Sequence, residues 1–161
     1  MISRPQTLAI AFASLMILIG CDSGPKGGKG ATEAESGLPT VQMDIGDKKF
    51  TLEVADRNDT REHGLMNRDA MPADHGMIFV FGDEAPRGFW MKNTRIPLDI
   101  LYVDAGGKVV SVKQMKPHDW NTVPSDSPAK YAIELNEGMA AKANAKSGLV
   151  LKIPATVVSK D

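Results

Sequence analysis

Short segments typical of β-strands recur from about residue 40 onward and constrain the fold of this chain more than any other feature. Val41, Met43 and Ile45 alternate with polar residues, and the alternation resumes at Phe50 after a Gly-Asp turn. Such alternation places every second side chain on the same face of a strand. These two segments therefore predict a β-hairpin.

Further segments along the chain also predict strands. The continuous apolar run "GMIFVF" at 76–81 is typical of a strand covered on both faces. After it come the segments "RGFWMKN", "PLDILYV", "KVVSVKQM", "YAIEL" and "LVLKI". The turn at 105–107 separates two of them, "PLDILYV" and "KVVSVKQM", and makes them antiparallel neighbours.

Two short helices interrupt the strands. Asp59 followed by Glu62 predicts a capping box at the start of the first helix, and Asn136 is expected to cap the second, "EGMAAKANAK". Trp120, in a long loop, is expected to plug one end of the fold. The predicted fold class is mainly β: a β-sandwich or partly open barrel of about seven strands with two short helices.

The N-terminal segment has the pattern of a bacterial lipoprotein signal. Arg4 precedes an apolar run too short to span a bilayer, and Gly20 stands directly before Cys21. We therefore expect residues 1–20 to be a signal peptide and Cys21 to carry the lipid anchor. Asp22 resembles the retention signal that favours the inner membrane in enteric bacteria.

The predicted domain organisation follows from this start. Residues 21–38 are rich in Gly, Ser, Ala and charge, which is typical of a flexible linker, and residues 39–161 form one β-rich domain. Without the signal peptide and its single arginine, 18 basic residues face 20 acidic ones, so nucleic acid is not an expected partner. The single cysteine excludes an internal disulfide and a thiolate zinc site. We expect the domain to lie on the periplasmic or extracellular side of the cell envelope.

Five motifs in fixed order resemble the domain of unknown function family 192, a bacterial and archaeal family. They are "REHGLMNR", "HGMIFVF", "FWMKNTRIPLDILYVD", "GKVV" and "YAIELNEGMA", and the resemblance runs from about residue 40 to residue 153. The resemblance implies a compact, mainly β, sandwich-like fold and no established activity. Where the family often has Gly-Asp near its end, this chain has Gly148-Leu149.

A group of polar residues inside apolar segments forms the main candidate site. Trp90, Lys92 and Asn93 lie in one predicted strand, and Asp99 and Glu134 are acids within two others. An unpaired buried charge is costly, so Lys92 is expected to pair with one or both acids. Either this ion-pair knot only fixes strand register, or the same residues line a cleft for a small polar ligand.

Arg61 extends this candidate site. An arginine near the start of a helix opposes the helix dipole, so a carboxylate partner is expected. Asp99 or Glu134 would serve, and an anionic ligand is the alternative.

A second group predicts a different function. Thioether and imidazole ligands select Cu(I), and such side chains cluster within fifteen residues. They are His63, Met66, Met71, His75 and Met77. The alternative to a copper site is that the methionines fill the core.

Catalysis has little support in the sequence. No Gly-x-Ser-x-Gly motif or phosphate-binding glycine loop occurs in the folded part, and only Asp99 with Glu134 could supply a glycosidase carboxylate pair. We therefore expect a non-catalytic binding or accessory module for a small polar ligand or an envelope protein. A periplasmic Cu(I)-binding protein and a carboxylate-pair hydrolase remain the alternatives.

Overall fold

The structure is a computed structural model that describes residues 36–161. Its strands and helices follow in chain order: β1 (Thr40–Ile45), β2 (Lys48–Ala55), α1 (Asn58–His63), β3 (His75–Ala85), β4 (Gly88–Phe89), β5 (Leu98–Val103), β6 (Val109–Met115), β7 (Val123–Pro124), β8 (Ala129–Asn136) and α2 (Met139–Lys142).

Six of the strands form one mixed sheet in the order β1-β2-β3-β8-β5-β6, and β4 pairs with β7 in a separate two-stranded sheet. Only β2 and β3 are parallel, and the other neighbours in the sheet are antiparallel. The predicted hairpins β1–β2 and β5–β6 are confirmed. The run "GMIFVF" belongs to β3, which lies inside the sheet, as its apolar character predicts.

The large sheet is covered on both faces, which explains why its inner strands are apolar throughout. In β5, Leu101 and Val103 belong to one core, whereas Leu98, Ile100 and Tyr102 belong to the other. The first core includes the alanines of α2, so we call this side the α2 face. The second core contains Phe79, and we call it the Phe79 face.

The predicted fold class is confirmed at this level. The described chain is mainly β, with eight strands and two short helices, and the large sheet does not close into a barrel. Within the described residues, no helix has the length and apolar character needed to cross a bilayer.

Several local predictions were wrong. The strand predicted for "RGFWMKN" ends at Phe89, because the chain turns at Asn93, whose φ is 55°. Instead of a last strand "LVLKI", the structure has a single bridge between Lys108 and Val150. Asn136 does not cap α2; its side chain amide donates to the carbonyls of Met71 and Pro72.

Helix α1 is capped at Arg57, two residues before the predicted cap Asp59. The Thr60 hydroxyl accepts the backbone N–H of Arg57 at 3.1 Å, so Glu62 has no capping role. The helix ends at Gly64, whose φ of 52° favours glycine.

The signal peptide at 1–20, the anchor at Cys21 and most of the linker lie outside the described residues, and these predictions remain expectations.

Candidate functional site

A cavity of about 220 Å³ opens on the Phe79 face of the sheet. One wall comes from α1 and the turn after it, another from β3 and β4, and β8 supplies a side chain from the sheet itself. Its polar and aromatic lining residues are Asn58, Arg61, Glu62, His63, Phe79, Phe81, Phe89, Trp90, Thr94 and Glu134. Leu65 and Met66 complete the apolar part.

Glu134 is the buried acid of this cavity. It pairs in register with Met77 on β3 and Ile100 on β5, so its side chain projects from the Phe79 face between two apolar neighbours. Only 4% of the residue is exposed. Burial raises the pKa of its carboxyl to about 8, although the positive charge of Arg68 acts in the opposite direction.

No hydrogen bond or ion pair to the Glu134 carboxyl occurs within residues 36–161. Among those residues, the only fully enclosed side-chain polar atom that lacks a partner is Asp56 Oδ1. The Glu134 oxygens are therefore not enclosed and keep contact with the cavity. A buried carboxyl in this state favours a partner that donates a hydrogen bond.

Beside Glu134 lies a buried ion pair that we did not predict. Glu53 on β2 pairs in register with Met77, which places it on the same face as Glu134. The Arg68 guanidinium meets Glu53 with two hydrogen bonds, of 2.5 and 2.8 Å, and both side chains are buried. This bidentate geometry holds the loop after α1 against the sheet.

Aromatic rings form the walls around Glu134. The rings of Phe79 and Phe89 meet edge to face at 4.8 Å, and Phe89 meets Tyr102 at 5.8 Å. The Tyr102 hydroxyl donates to the Val123 carbonyl, and burial raises the pKa of this hydroxyl, with the negative charge of Glu134 as a further cause.

Arg61 lies on the cavity lining and has protein partners, though neither is an acid that we predicted. Its guanidinium donates to the Val80 carbonyl at 2.9 Å and pairs with the Asp161 carboxylate. It also stacks over Phe81 at 5.1 Å. The expectation of a protein partner is met, but by the last residue of the chain instead of Asp99 or Glu134.

The predicted knot of Lys92 with Asp99 and Glu134 was wrong. The Lys92 ammonium lies over the rings of Trp90 and Trp120, 5.3 and 5.4 Å from their centres. It forms no salt bridge within the described residues. Trp90 and Trp120 are 48% and 64% exposed, so Trp120 does not plug the fold, and cation–π contact replaces the expected ion pair.

Asp99 and Glu134 lie on opposite faces of the sheet, so the paired-carboxylate arrangement was wrong. Asp99 is opposite Leu135 in register, on the α2 face, and accepts the backbone N–H of Ala140 at 2.9 Å. It anchors α2 and takes no part in the cavity. Asn93 is exposed and contributes its backbone carbonyl, which accepts the Asn67 N–H at 2.8 Å.

The copper candidates are divided between the cavity and the core. His63 and Met66 line the cavity, whereas Met71 and Met77 are buried in the core of the Phe79 face. The ring of His75 contacts the Asp74 carboxylate at 2.9 Å, which lowers the pKa of that carboxyl. The described residues contain no group of three or more His, Cys, Asp or Glu side chains placed to hold a metal.

Sequence reasoning missed Glu53, Arg68 and the phenylalanine walls. Glu53 carried a usable signal, since it is an acid between Leu52 and Val54 in a strand that proves to be buried on both faces. Arg68 gave none, because its partner is fifteen residues away and the loop between them has no regular period.

Comparison with known proteins places this fold among uncharacterised relatives. A protein of Sinorhizobium meliloti 1021, described as a proposed transcription regulator, shares 34% identity with a TM-score of 0.65 over 70% of this chain and 91% of its own. A protein of unknown function from Novosphingobium aromaticivorans shares 30% identity with a TM-score of 0.64, over 76% of this chain and 94% of its own. No curated protein matches significantly.

The sequence profile of one family matches most of the folded part. It covers residues 41–153 and is that of DUF192, described as an uncharacterized ACR. The chain therefore belongs to the DUF192 family, as its motifs predicted.

Proposed function

We propose that this protein is a non-catalytic binding module that holds one small polar molecule in the cavity beside Glu134. The observation that carries the proposal is the buried Glu134 carboxyl, which faces the cavity without a hydrogen-bond partner among the described residues. A ligand that donates a hydrogen bond would satisfy this group, and no rearrangement of the sheet is needed.

The shape of the site favours a small molecule over an envelope protein as its occupant. A concave space of about 220 Å³ lies somewhat below the usual range of about 300–1,000 Å³ for ligand pockets. Its lining combines aromatic rings with a few polar groups, which is the composition that such pockets share. Binding is favoured over hydrolysis because Asp99 and Glu134 lie on opposite faces of the sheet.

A fragment screen observed by protein NMR on the full chain tests this function. We expect hits to shift the indole N–H signal of Trp90, which lines the cavity. Met66→Trp should abolish binding because the larger side chain fills the cavity. Val150→Trp places the same ring at an exposed position elsewhere and should leave binding unchanged. Fragments that still bind to the Met66→Trp variant would refute the cavity as the binding site.

The site is further proposed to be held at the membrane through a lipid on Cys21, facing the periplasm. Several acyl chains at about 0.8 kcal/mol per buried methylene hold a protein firmly, and the linker lets the domain stay near the surface. We expect Cys21→Ser to move the protein from the membrane fraction to the soluble fraction of a bacterial expression host. A variant that stays with the membranes would contradict the anchor.

A further inference from the structure

We propose that the ligand of this cavity is a small organic amine, held as an ammonium ion with its N–H groups on the Glu134 carboxylate and its carbon skeleton against Phe79, Phe89 and Trp90. This inference rests on the binding function proposed above and names the class of ligand.

The ionised form of Glu134 requires a donor, whereas the neutral form carries one O–H donor of its own. An ionised carboxylate only accepts hydrogen bonds, and this one receives none from the described residues. A carboxylate ligand would be repelled by the ionised form, because like charges repel at close range, and would have to bind the neutral form. An alcohol can bond to either form but cannot compensate the charge of the ionised one.

The walls favour a positive charge over a neutral group. Aromatic faces attract cations, and two rings of this cavity already contact cationic side chains of the protein. The guanidinium of Arg87 lies 3.9 Å from the centre of the Phe81 ring, and Lys92 lies over Trp90. The rings of Phe79 and Phe89, which meet edge to face beside Glu134, have no such cation among the described residues.

The arginine on the cavity lining does not favour an anion. The Arg61 guanidinium is already engaged by the Val80 carbonyl and by Asp161, so an anionic ligand would have to displace a carboxylate. The exposed acid Glu62 adds negative charge at the same wall.

Ammonium binding should release one proton. In the empty cavity the raised pKa keeps much of Glu134 protonated at neutral pH. When the ammonium forms its ion pair, the carboxyl proton passes to solvent, so charge is conserved and affinity should rise with pH up to about 8. Other titratable or charged side chains that line the cavity or lie beside it include Glu53, Arg61, Glu62, His63, Arg68, Lys92 and Tyr102.

Three probes with one carbon skeleton test the inference by calorimetry on the full chain. Benzylammonium, benzyl alcohol and benzoate differ only in the charge and the donors that they bring. We expect benzylammonium to bind at pH 8 at least tenfold more tightly than benzyl alcohol, and about tenfold more tightly at pH 8 than at pH 6.5. At pH 6.5, buffers of different ionisation enthalpy should show that about one proton is released for each ligand bound.

Glu134→Gln keeps the shape and removes the charge. We expect it to lower benzylammonium affinity at least tenfold, to leave benzyl alcohol affinity unchanged and to remove the proton release. Glu137→Gln and His118→Gln remove an exposed carboxylate and an exposed imidazole that do not line the cavity, so these variants should retain the preference for the cation and its pH dependence.

Other results separate this inference from the function on which it rests. If benzyl alcohol or benzoate binds more tightly than benzylammonium, and Met66→Trp abolishes that binding, the amine is the wrong ligand class but the small-molecule function stands. Benzylammonium binding that is unchanged in Glu134→Gln would also overturn the amine site. Failure of all three probes would refute the amine, and the fragment screen would still decide the function.

Discussion

Two residues on the Phe79 face meet the same physical problem and solve it differently. Glu53 and Glu134 are both buried on this face, separated in register by Met77. Glu53 accepts two hydrogen bonds from the Arg68 guanidinium, the bidentate geometry that suits a carboxylate and an arginine. Glu134 has no comparable partner among the described residues, and burial favours its neutral form. The protein supplies a hydrogen-bonding partner for Glu53 and none for Glu134 among the described residues. We therefore assign Glu53 to the stability of the fold and Glu134 to ligand binding.

Glu134 should make the stability of the fold depend on pH. Its carboxyl holds a proton in the folded state up to about pH 8, whereas the unfolded chain loses it at about 4.5. The folded state therefore binds more protons between these values, and the free energy of unfolding should fall by a few kcal/mol as pH rises from 4.5 to 8. Urea denaturation from pH 5 to pH 9 measures this fall, which Glu134→Gln should remove.

The control for this prediction is Glu62→Gln, which changes an exposed carboxyl on the same cavity wall. Its stability should follow the wild-type pH curve. Equal slopes in wild type and Glu134→Gln would show that other groups cause the dependence.

Arg68→Met should cost much more than the loss of a surface arginine. The substitution leaves Glu53 buried without its bidentate partner, and breaking such a pair costs about 3–5 kcal/mol. Arg95→Met is the matched control, since Arg95 pairs with Asp69 at 2.8 Å on the surface and should cost less than about 1 kcal/mol. Similar costs for both variants in urea denaturation would contradict a structural role of the buried pair.

At the scale of the elements, sequence alternation predicted the hairpins and the central strand because each depends on local pattern and turn chemistry. It failed at "RGFWMKN", where aromatic residues favour a strand although the chain leaves the strand after Phe89. One turn decides this point: the Thr94 N–H donates to the Met91 carbonyl at 3.1 Å, and Asn93 within the turn adopts a positive φ. The partners of Lys92, Arg61 and Asp99 depend on contacts distant in sequence, so no local pattern could assign them.

Asp99 gives a prediction at this scale, because one carboxylate connects β5 to the start of α2. Asp99→Ala should leave the buried N–H of Ala140 without an acceptor and lower the free energy of unfolding by about 1–3 kcal/mol. Hydrogen exchange of the Ala140 backbone amide should also become faster in this variant. Asp99→Asn retains an acceptor oxygen, so its free energy of unfolding should fall by less. Slow exchange at Ala140 in Asp99→Ala would show that α2 is held by its apolar contacts alone.

At the scale of the described domain, the last residues connect the two faces of the sheet. Val157 belongs to the core of the α2 face, whereas Asp161 pairs with Arg61 of α1, which lines the cavity on the other face. Between them, the Lys160 ammonium contacts Asp56 Oδ2 at 2.6 Å at the end of β2. Asp56 is 3% exposed, and its Oδ1 has no partner in the described residues. Lys160 is therefore the ion-pair partner of a buried carboxylate that is already incompletely satisfied.

Lys160→Met should lower the free energy of unfolding by about 1–3 kcal/mol, because it leaves the Asp56 carboxylate buried and unpaired. The cost should be below that of breaking the Arg68 pair, since the lysine side chain is half-exposed and water screens its charge. Urea denaturation of the single and double variants measures it. In an Asp56→Asn background the same lysine change should cost little, because no buried charge remains to be neutralised. Lys49→Met, which breaks an exposed pair with Asp44, should be nearly neutral. An equal cost of Lys160→Met in both backgrounds would mean that the end of the chain is held by packing and not by this ion pair.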